Sequence, residues 1–198
     1  MAAIVNFLVK TVVPIGGLLY AEQVYFREKL APVYAASSAF PGLNVPKAFG
    51  FVLVVNIILS GFLLVYLGTK VGAARNTFKE KALKDGDKDA EARFSYPKMQ
   101  AEGFSEHAKL FNCVQRGHQQ ALETYTFFVG LSVIGGSVFP LSTAFAGLLW
   151  FFSRIKWAEG YRTGEPSKRY QNWVAYGIWS SLIIVMLASV VTSVRIMQ

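Results

Sequence analysis

Three long runs without a charged residue constrain this chain more than any other feature of its sequence. Residues 48–69, 124–153 and 172–194 contain no Asp, Glu, Lys or Arg. A helix of ~20 apolar residues is long enough to cross a bilayer core ~30 Å thick. The first and last runs therefore each predict one transmembrane helix. The composition agrees with a membrane protein, because only 16% of the residues are charged, against roughly a quarter in soluble domains.

The middle run, 124–153, is too long for one simple span. Gly135-Gly136 and Pro140 interrupt it, and glycine and proline are the strongest breakers of regular structure. We interpret this region as a helical hairpin, with one helix over about 110–136 and the next over about 140–158. The predicted fold class is therefore an all-α integral membrane protein with four transmembrane helices in each subunit.

The positive charge lies in two segments on one side of this predicted bundle. The net charge is +8, with nine Lys and Arg residues in 70–109 and five in 154–169, while the turn 137–141 carries none. Basic loops remain on the cytosolic side of a membrane. The charge thus predicts a multi-pass protein with cytosolic basic loops and a basic belt at the membrane surface, and it does not indicate a nucleic acid partner.

An N-terminal extension, residues 1–47, precedes the four-helix membrane domain predicted at 48–198. Residues 4–20 are apolar but include Lys10, which leaves two possibilities open: a kinked helix on the membrane surface or a fifth span. Residues 31–47 predict a linker, because proline and small residues are frequent there. The prolines of this linker are Pro32, Pro41 and Pro46.

Polar residues form a stripe at the start of the hairpin. At about 100° per residue, Asn112, Gln120 and Glu123 all lie within about 40° of Arg116 on one helix face. His118 lies on the opposite face. Glu123 is two turns from Arg116, farther than the usual helix ion pair at i+3 or i+4. A carboxylate inside a membrane has to face a bundle interior or a wet cavity, so the stripe indicates a functional site. The alternative is a structural ion pair, or an arginine that reaches the headgroups.

The next helix supplies a second set of polar side chains. Arg154, Trp157 and Tyr161 follow a spacing that places them on one face, and Arg162, Lys168 and Arg169 come shortly after. A cleft with several cations, one acid and a phenol suits a small anionic molecule that also carries an amine. Its apolar walls suit a second reactant dissolved in the bilayer.

Neither metal nor disulfide chemistry is indicated by the sequence. Cys113 is the one cysteine, which excludes an intrachain disulfide. His107 and His118 are too far apart in sequence to suggest a zinc site. No metal cofactor is therefore expected.

Four segments of the chain resemble one family. They are FNCVQRGHQQALETY and GYRTGEPSKR, with AARNTF after the first span and YPKM in the following loop. These segments are similar to those of the membrane-associated eicosanoid and glutathione metabolism proteins (MAPEG), and most resemble the microsomal glutathione transferase type 3 branch. The resemblance covers roughly residues 48–194. It departs at Gln120, where asparagine is usual, at Trp157, where tyrosine is common, and at Thr124-Tyr125-Thr126, which lacks a frequent proline.

The resemblance implies a homotrimer in the endoplasmic reticulum membrane, with glutathione as co-substrate held between neighbouring subunits. Carried over by position, it implies that Arg116, Gln120 and Glu123 hold glutathione, with Glu123 toward its amine. Arg154 and Tyr161 would add contacts from the third helix.

The resemblance also implies roles for residues outside the stripe. Arg75 and His118 would face the site of the neighbouring subunit. The arginine that activates the thiol in related leukotriene C synthases aligns near Lys168-Arg169. We choose Arg169, and a shift of one residue would select Lys168.

The implied activity is transfer of glutathione to lipophilic electrophiles. Glutathione-dependent reduction of lipid hydroperoxides and a leukotriene C synthase-like reaction belong to the same expectation. The alternative is a non-enzymatic, lipid-binding membrane scaffold of the same family. A scaffold has no need of the charges that bind glutathione, and these charges are present here. A transporter or channel would require charge near the middle of several spans, which the first and last spans lack.

Overall fold

The computed structural model describes residues 2–39 and 44–198. Pro41 of the predicted linker lies outside these residues. Within the described ranges the chain is helical, and its only extended pairing is an isolated antiparallel bridge between Ala36 and Pro46. The long helices are α1 (Ala2–Ala21), α2 (Phe49–Lys84), α3 (Glu106–Gly136), α4 (Pro140–Arg162) and α5 (Gly177–Ile196).

Shorter helical segments extend or connect the long helices. After α1 the chain continues through a π-helical turn, Glu22–Phe26, into Arg27–Lys29. A second π-helical turn, Leu53–Leu59, lies within α2 between Phe49–Val52 and Ser60–Lys84. The remaining pieces are the short helices Ala31–Tyr34 and Ala90–Arg93 and the 3-10 helices Pro166–Tyr170 and Trp173–Tyr176.

Two of the helices in the described residues can cross a membrane by length and composition. They are Phe49–Lys84 and Trp173–Ile196, which include the first and last uncharged runs. The hairpin has the predicted break, since α3 ends at Gly136 and α4 begins at Pro140. The described residues are thus helical, with two apolar helices of transmembrane length, and the count of four spans stays a prediction.

The chain divides into two compact units. The first contains Met1–Gly61, Thr126–Phe151 and Gly177–Gln198, and the second contains Phe62–Tyr125 and Phe152–Tyr176. All the residues predicted for the site belong to the second unit. The first unit holds the N-terminal extension, the hairpin turn and α5.

Asn56 connects three helices in the first unit. Its fully buried side-chain amide donates to Ser132 Oγ at 2.9 Å and to the carbonyl oxygen of Thr143 at 3.0 Å. Gly147 makes room for it, because a Cβ there would lie 2.0 Å from Asn56 Oδ1. Polar side chains that bond across helices stabilise packing where no water is available. The glycine is therefore required by the close approach of α2 and α4.

Gly135 allows α3 and α5 to approach each other in the same way. A Cβ at Gly135 would lie 2.8 Å from Cβ of Ala188. Beside this contact, Ser189 Oγ donates to the carbonyl oxygen of Leu131 at 2.7 Å. Small residues at helix contacts are typical of membrane helix packing. The glycines that end the predicted helix thus also serve its packing.

A buried carboxylate attaches the N-terminal extension to the start of α4. Glu22 is 1% exposed. Its Oε1 accepts hydrogen bonds from the backbone N–H of Leu141 and from Tyr34 Oη, both at 2.8 Å, and its Oε2 accepts from the N–H of Ser142 at 2.7 Å. A carboxylate at this position satisfies free N–H groups of the first helical turn and complements the helix dipole. Burial, together with the bond to Glu22, raises the pKa of the Tyr34 phenol.

Gln23 and Arg195 extend this attachment. Gln23 Nε2 donates to the carbonyl oxygen of Val138 at 3.1 Å, and Arg195 Nη1 donates to Gln23 Oε1 at 2.9 Å. The Arg195 guanidinium also lies over the Phe139 ring. The extension therefore packs against the α3–α4 turn and the end of α5. Whether α1 crosses the membrane or lies on its surface stays open.

We predict that Glu22→Gln lowers the stability of the folded protein. The substituted amide retains one acceptor oxygen but turns an N–H group toward donors that need an acceptor. Leaving a buried polar group unsatisfied costs about 1–3 kcal/mol. Thermal unfolding of the detergent-solubilised protein measures the effect. Glu28→Gln, on an exposed position of the next helical segment, is the matched control, and equal melting temperatures for the two variants would contradict the docking role of Glu22.

Candidate functional site

Arg116 and Glu123 form an ion pair on the surface of α3. Arg116 Nη1 lies 2.6 Å from Glu123 Oε1, and the two side chains are 40% and 45% exposed. The spacing is longer than that of the usual helix ion pair, and the structure nevertheless pairs the two residues. Seven residues rise about 10.5 Å, and the two extended side chains on one face span this distance. The pair remains accessible within the single chain.

Asn112 has a different role from the one that the stripe suggested. Its Oδ1 accepts from the N–H of Ala101 at 2.8 Å, and its Nδ2 donates to the carbonyl oxygen of Ala101 at 2.9 Å. Both ends of the amide are thus used to hold the preceding loop against α3. The helical angle placed Asn112 correctly on the face of Arg116, but this loop partner could not be read from periodicity.

Arg154 is the most deeply buried cation of the predicted site, at 1% exposed. Its guanidinium donates to Gln120 Oε1 and to Thr124 Oγ1, and it lies 5.9 Å from the centre of the Trp157 ring. The Gln120 amide is therefore directed toward α4. Thr124 was missed by the sequence analysis, although it follows Gln120 by four residues and so shares its face.

Tyr161 and Arg169 come together at the end of α4. The Arg169 guanidinium lies 5.9 Å from the centre of the Tyr161 ring, and its Nη1 donates to the carbonyl oxygen of Pro166 at 2.8 Å. Trp157 also packs against Tyr161, and the centres of the two rings are 4.5 Å apart. Gly160 allows the backbone at Lys168 to approach α4 closely, since a Cβ at Gly160 would clash with the carbonyl oxygen of Lys168.

Lys168 has a separate environment. Its Nζ lies 3.1 Å from Glu165 Oε2. It lines a cavity of about 360 Å³ with Gly160, Thr163 and Asn172, and Tyr161 is not among the residues of that cavity. The two neighbouring cations, which the sequence could not distinguish, therefore differ in their surroundings.

A cavity of about 510 Å³ brings Arg116 and Tyr161 together. Its size is in the range of small-molecule sites. Lys109 adds a second cation, so the cavity suits an anion. Asn112 and Cys113 line it from α3. Gln100, Gly103 and Phe104 line it from the preceding loop, and the sequence analysis had not selected these three because loops carry no helical periodicity. The complete lining is Gln100, Gly103, Phe104, Lys109, Asn112, Cys113, Arg116, Tyr161 and Pro166.

Arg75 has a structural role in its own chain that the sequence did not predict. It is 5% exposed, and it donates to the carbonyl oxygens of Phe94 at 3.0 Å and of Lys98 at 2.6 Å. The guanidinium also lies 4.6 Å from the ring centres of both Tyr96 and Phe111. Arg75 thus fixes the loop that precedes α3. Its expected contact with a neighbouring subunit stays a prediction.

His118 lies apart from Arg116, as its helical angle predicted. It packs against α2, where a Cβ at Gly68 would be 3.4 Å from His118 Cε1. It lines a small cavity with Tyr66, Lys70 and Arg162. The structure therefore does not bring His118 to the cavity that contains Arg116 and Tyr161.

Comparison with known protein families shows a match over most of the chain. The model described as the MAPEG family matches residues 53–192. The match begins within α2 and ends near the end of α5. It includes every residue of the predicted site and leaves the N-terminal extension outside.

The contacts of Arg75 predict that this residue sets the stability of the loop. The substitution Arg75→Met removes the buried cation and its two hydrogen bonds to the loop. Amide hydrogen exchange in residues 94–101 should then become at least about tenfold faster, equivalent to ~1.4 kcal/mol. Hydrogen exchange with mass spectrometry measures this change. Lys79→Met, which removes an exposed cation paired with Glu91, is the control. Unchanged exchange in Arg75→Met would show that the loop is held by other contacts.

Proposed function

The chain belongs to the MAPEG family, and from this premise we propose that it is a glutathione transferase. The proposed reaction joins the thiol of glutathione to lipophilic electrophiles, as in the microsomal glutathione transferase type 3 branch. The observation that carries the proposal is the cavity of about 510 Å³ that contains Arg116, Lys109 and Tyr161. Glutathione carries two carboxylates, one amine and one thiol, and this cavity offers cations at its wall together with an adjacent acid.

The Arg116–Glu123 pair supports this assignment. Ion pairs that are substantially exposed to solvent contribute little to stability, so this pair can open without a large loss. A carboxylate of glutathione would then replace Glu123 at the Arg116 guanidinium, while Glu123 would accept hydrogen bonds from the amine of the same molecule. This exchange leaves no charge unpaired. Gln120, held by Arg154, would contribute a neutral contact beside them.

We assign thiol activation to Arg169. A free thiol has a pKa of ~8.5 and reacts as its thiolate, and a guanidinium stabilises that anion while keeping its own charge. Lowering the thiol pKa by ~2 units requires about 2.7 kcal/mol of preferential stabilisation. The position of Arg169 over the Tyr161 ring favours it over Lys168, because Tyr161 also lines the cavity of Arg116. Arg154 and Tyr161 would orient the bound tripeptide.

The chemistry then requires no nucleophile from the protein. The thiolate forms a carbon–sulfur bond with the electrophile, and the electron pair displaced from the electrophile takes up a proton or departs with a leaving group. With a lipid hydroperoxide, the thiolate would take the terminal oxygen to give a sulfenic acid, and the lipid alkoxide would take a proton and leave as the alcohol. A second glutathione would then displace that oxygen as water and give the disulfide. A leukotriene C synthase-like reaction would be opening of a lipid epoxide by the same thiolate.

We extend the proposal to the assembly and its membrane. A four-helix subunit in a homotrimer of the endoplasmic reticulum would place the Arg116–Glu123 pair in a cleft between copies that glutathione can enter, with Arg75 and His118 toward the neighbouring site and the basic loops in the cytosol. In the single chain both side chains of the pair are substantially exposed, although the uncharged run begins at the next residue. A neighbouring subunit beside the pair would explain why two charged side chains lie next to the uncharged run.

Glutathione binding tests the proposal directly. Titration calorimetry on the purified, detergent-solubilised protein should detect binding, and Glu123→Gln should weaken it roughly ten- to a hundredfold, because a charge-assisted hydrogen bond contributes about 1.5–3 kcal/mol. Glu91→Gln, which removes an exposed acid paired with Lys79, should leave the affinity unchanged. A wild-type protein that binds no glutathione and conjugates no electrophile would favour the scaffold alternative.

The pH dependence of the thiolate separates Arg169 from Lys168. In the wild type, bound thiolate should persist at neutral pH and disappear as the pH falls through the lowered pKa. In Arg169→Ala the thiol pKa should return toward ~8.5, so the rate should fall most at neutral pH and partly recover toward pH ~9. Ultraviolet absorbance of bound glutathione against pH measures the shift. If Lys168→Ala shows it and Arg169→Ala does not, the assignment is wrong by one residue.

A further inference from the structure

The loop before α3 is held rigidly at two places along one wall of the cavity. Arg75 binds the carbonyl oxygen of Lys98 from α2, and Asn112 binds both the N–H and the carbonyl oxygen of Ala101 from α3. Two-point anchoring of this kind fixes a backbone segment in one conformation. The backbone of the residues that follow Ala101 therefore has a defined direction beside Arg116.

Gly103 sets the direction in which the next residue points. Its φ of +92° is a conformation that side chains with a Cβ rarely adopt. A Cβ at this position would also lie 2.9 Å from Arg93 Nη1, and Arg93 is itself paired with Asp87 at 3.5 Å. The backbone thus makes a fixed turn at Gly103 and presents Phe104 outward.

Phe104 is fully exposed in the chain and lines the cavity that contains Arg116 and Tyr161. An exposed aromatic ring has its whole apolar surface available for a ligand. Other large apolar side chains of the same loop, Tyr96 and Met99, are also exposed but do not line this cavity. Phe104 differs from them in being next to the cations.

We propose that Phe104 contacts the apolar chain of the electrophile and makes the enzyme prefer long-chain substrates. This inference rests on the proposed function. Arg116 and Lys109 account for the anionic groups of glutathione, which leaves Phe104 and Pro166 as apolar groups at the same cavity. Since the electrophile has to reach the glutathione sulfur, its chain passes the rim of the cavity. Burial of that chain against the ring removes apolar surface from water.

The reaction for which Phe104 would select the substrate needs only glutathione, the electrophile and a proton from water. With a 2-alkenal, the thiolate sulfur forms a bond to the β-carbon, and the π electron pair moves through the α-carbon to the carbonyl oxygen as an enolate. The α-carbon then takes a proton from water, and nothing is oxidised. Phe104 touches the alkyl chain beyond these atoms, so it alters selection among alkenals while leaving the chemistry at the sulfur unchanged.

The experiment compares 2-hexenal with 2-dodecenal as substrates of the full-length protein in detergent. We expect Phe104→Ala to lower kcat/KM for the long alkenal about tenfold more than for the short one, which corresponds to ~1.4 kcal/mol. The Kd of glutathione should be unchanged. Phe104→Leu should retain most of the preference because it keeps an apolar side chain. Met99→Ala is the matched control, with an exposed apolar residue removed from the same loop.

Equal loss for both alkenals in Phe104→Ala, or the same loss of preference in Met99→Ala, would overturn the inference and indicate insertion of the loop into the lipid surface. A wild-type protein that conjugates both alkenals with no preference for the longer one would also overturn it. If the wild type neither binds glutathione nor conjugates either alkenal, the proposed function itself is wrong, and the inference fails with it. These outcomes are distinguishable from measurements on the wild type.

Discussion

Polar side chains between apolar helices require partners close by, and this requirement organises both compact units. In a medium without water, an unpaired donor or acceptor carries a large penalty. In the first unit Asn56 bonds to α3 and α4. In the second unit Arg154 of α4 donates hydrogen bonds to Gln120 and Thr124 of α3. Each contact joins side chains at least 30 residues apart in sequence, so the polar residues also help to fix how the helices pack.

The Arg116–Glu123 pair is an exception to this arrangement, and the difference indicates function. Arg154 is buried in its own chain, whereas Arg116 and Glu123 remain substantially exposed on α3. An ion pair with this exposure contributes little to stability, so its two charges can part at low cost. A pair that can exchange its partners suits the reversible binding of a zwitterionic molecule. The exposed position is therefore consistent with the proposed glutathione site.

The loop before α3 contributes more to the candidate site than its irregular sequence suggests. The loop is bonded to Arg75 and Asn112. Its turn lies at Gly103, next to the side chain of Arg93. Sites held by rigid surroundings bind and orient ligands with less loss of conformational entropy. The cations on the helices and the loop wall thus form one cavity, in which the rigid loop adds apolar surface to a cationic pocket.

Sequence alone was sufficient for the apolar helices of transmembrane length, the turn of the hairpin and, through the resemblance of four segments, the family. Uncharged runs, Gly135-Gly136 and Pro140 determine the helices and the turn locally, because hydropathy and backbone restriction act within a few residues. The outer ends of the hairpin, predicted near 110 and 158, lie at Glu106 and Arg162. Helical periodicity also placed Arg116 and Glu123 on one face and His118 on the other. It could not show that Arg116 and Glu123 pair, because side-chain reach depends on rotamers.

Only the tertiary structure decided the partners of residues that meet across long separations. Glu22 caps α4 from the N-terminal extension, Arg75 holds the loop before α3, and Arg169 lies beside Tyr161 while Lys168 does not. The neighbours Lys168 and Arg169 have the same charge and similar local sequence context. They differ in surroundings because the backbone at Lys168 and Arg169 packs closely against Gly160 of α4. This contact arises from tertiary packing and has no periodic pattern in the sequence.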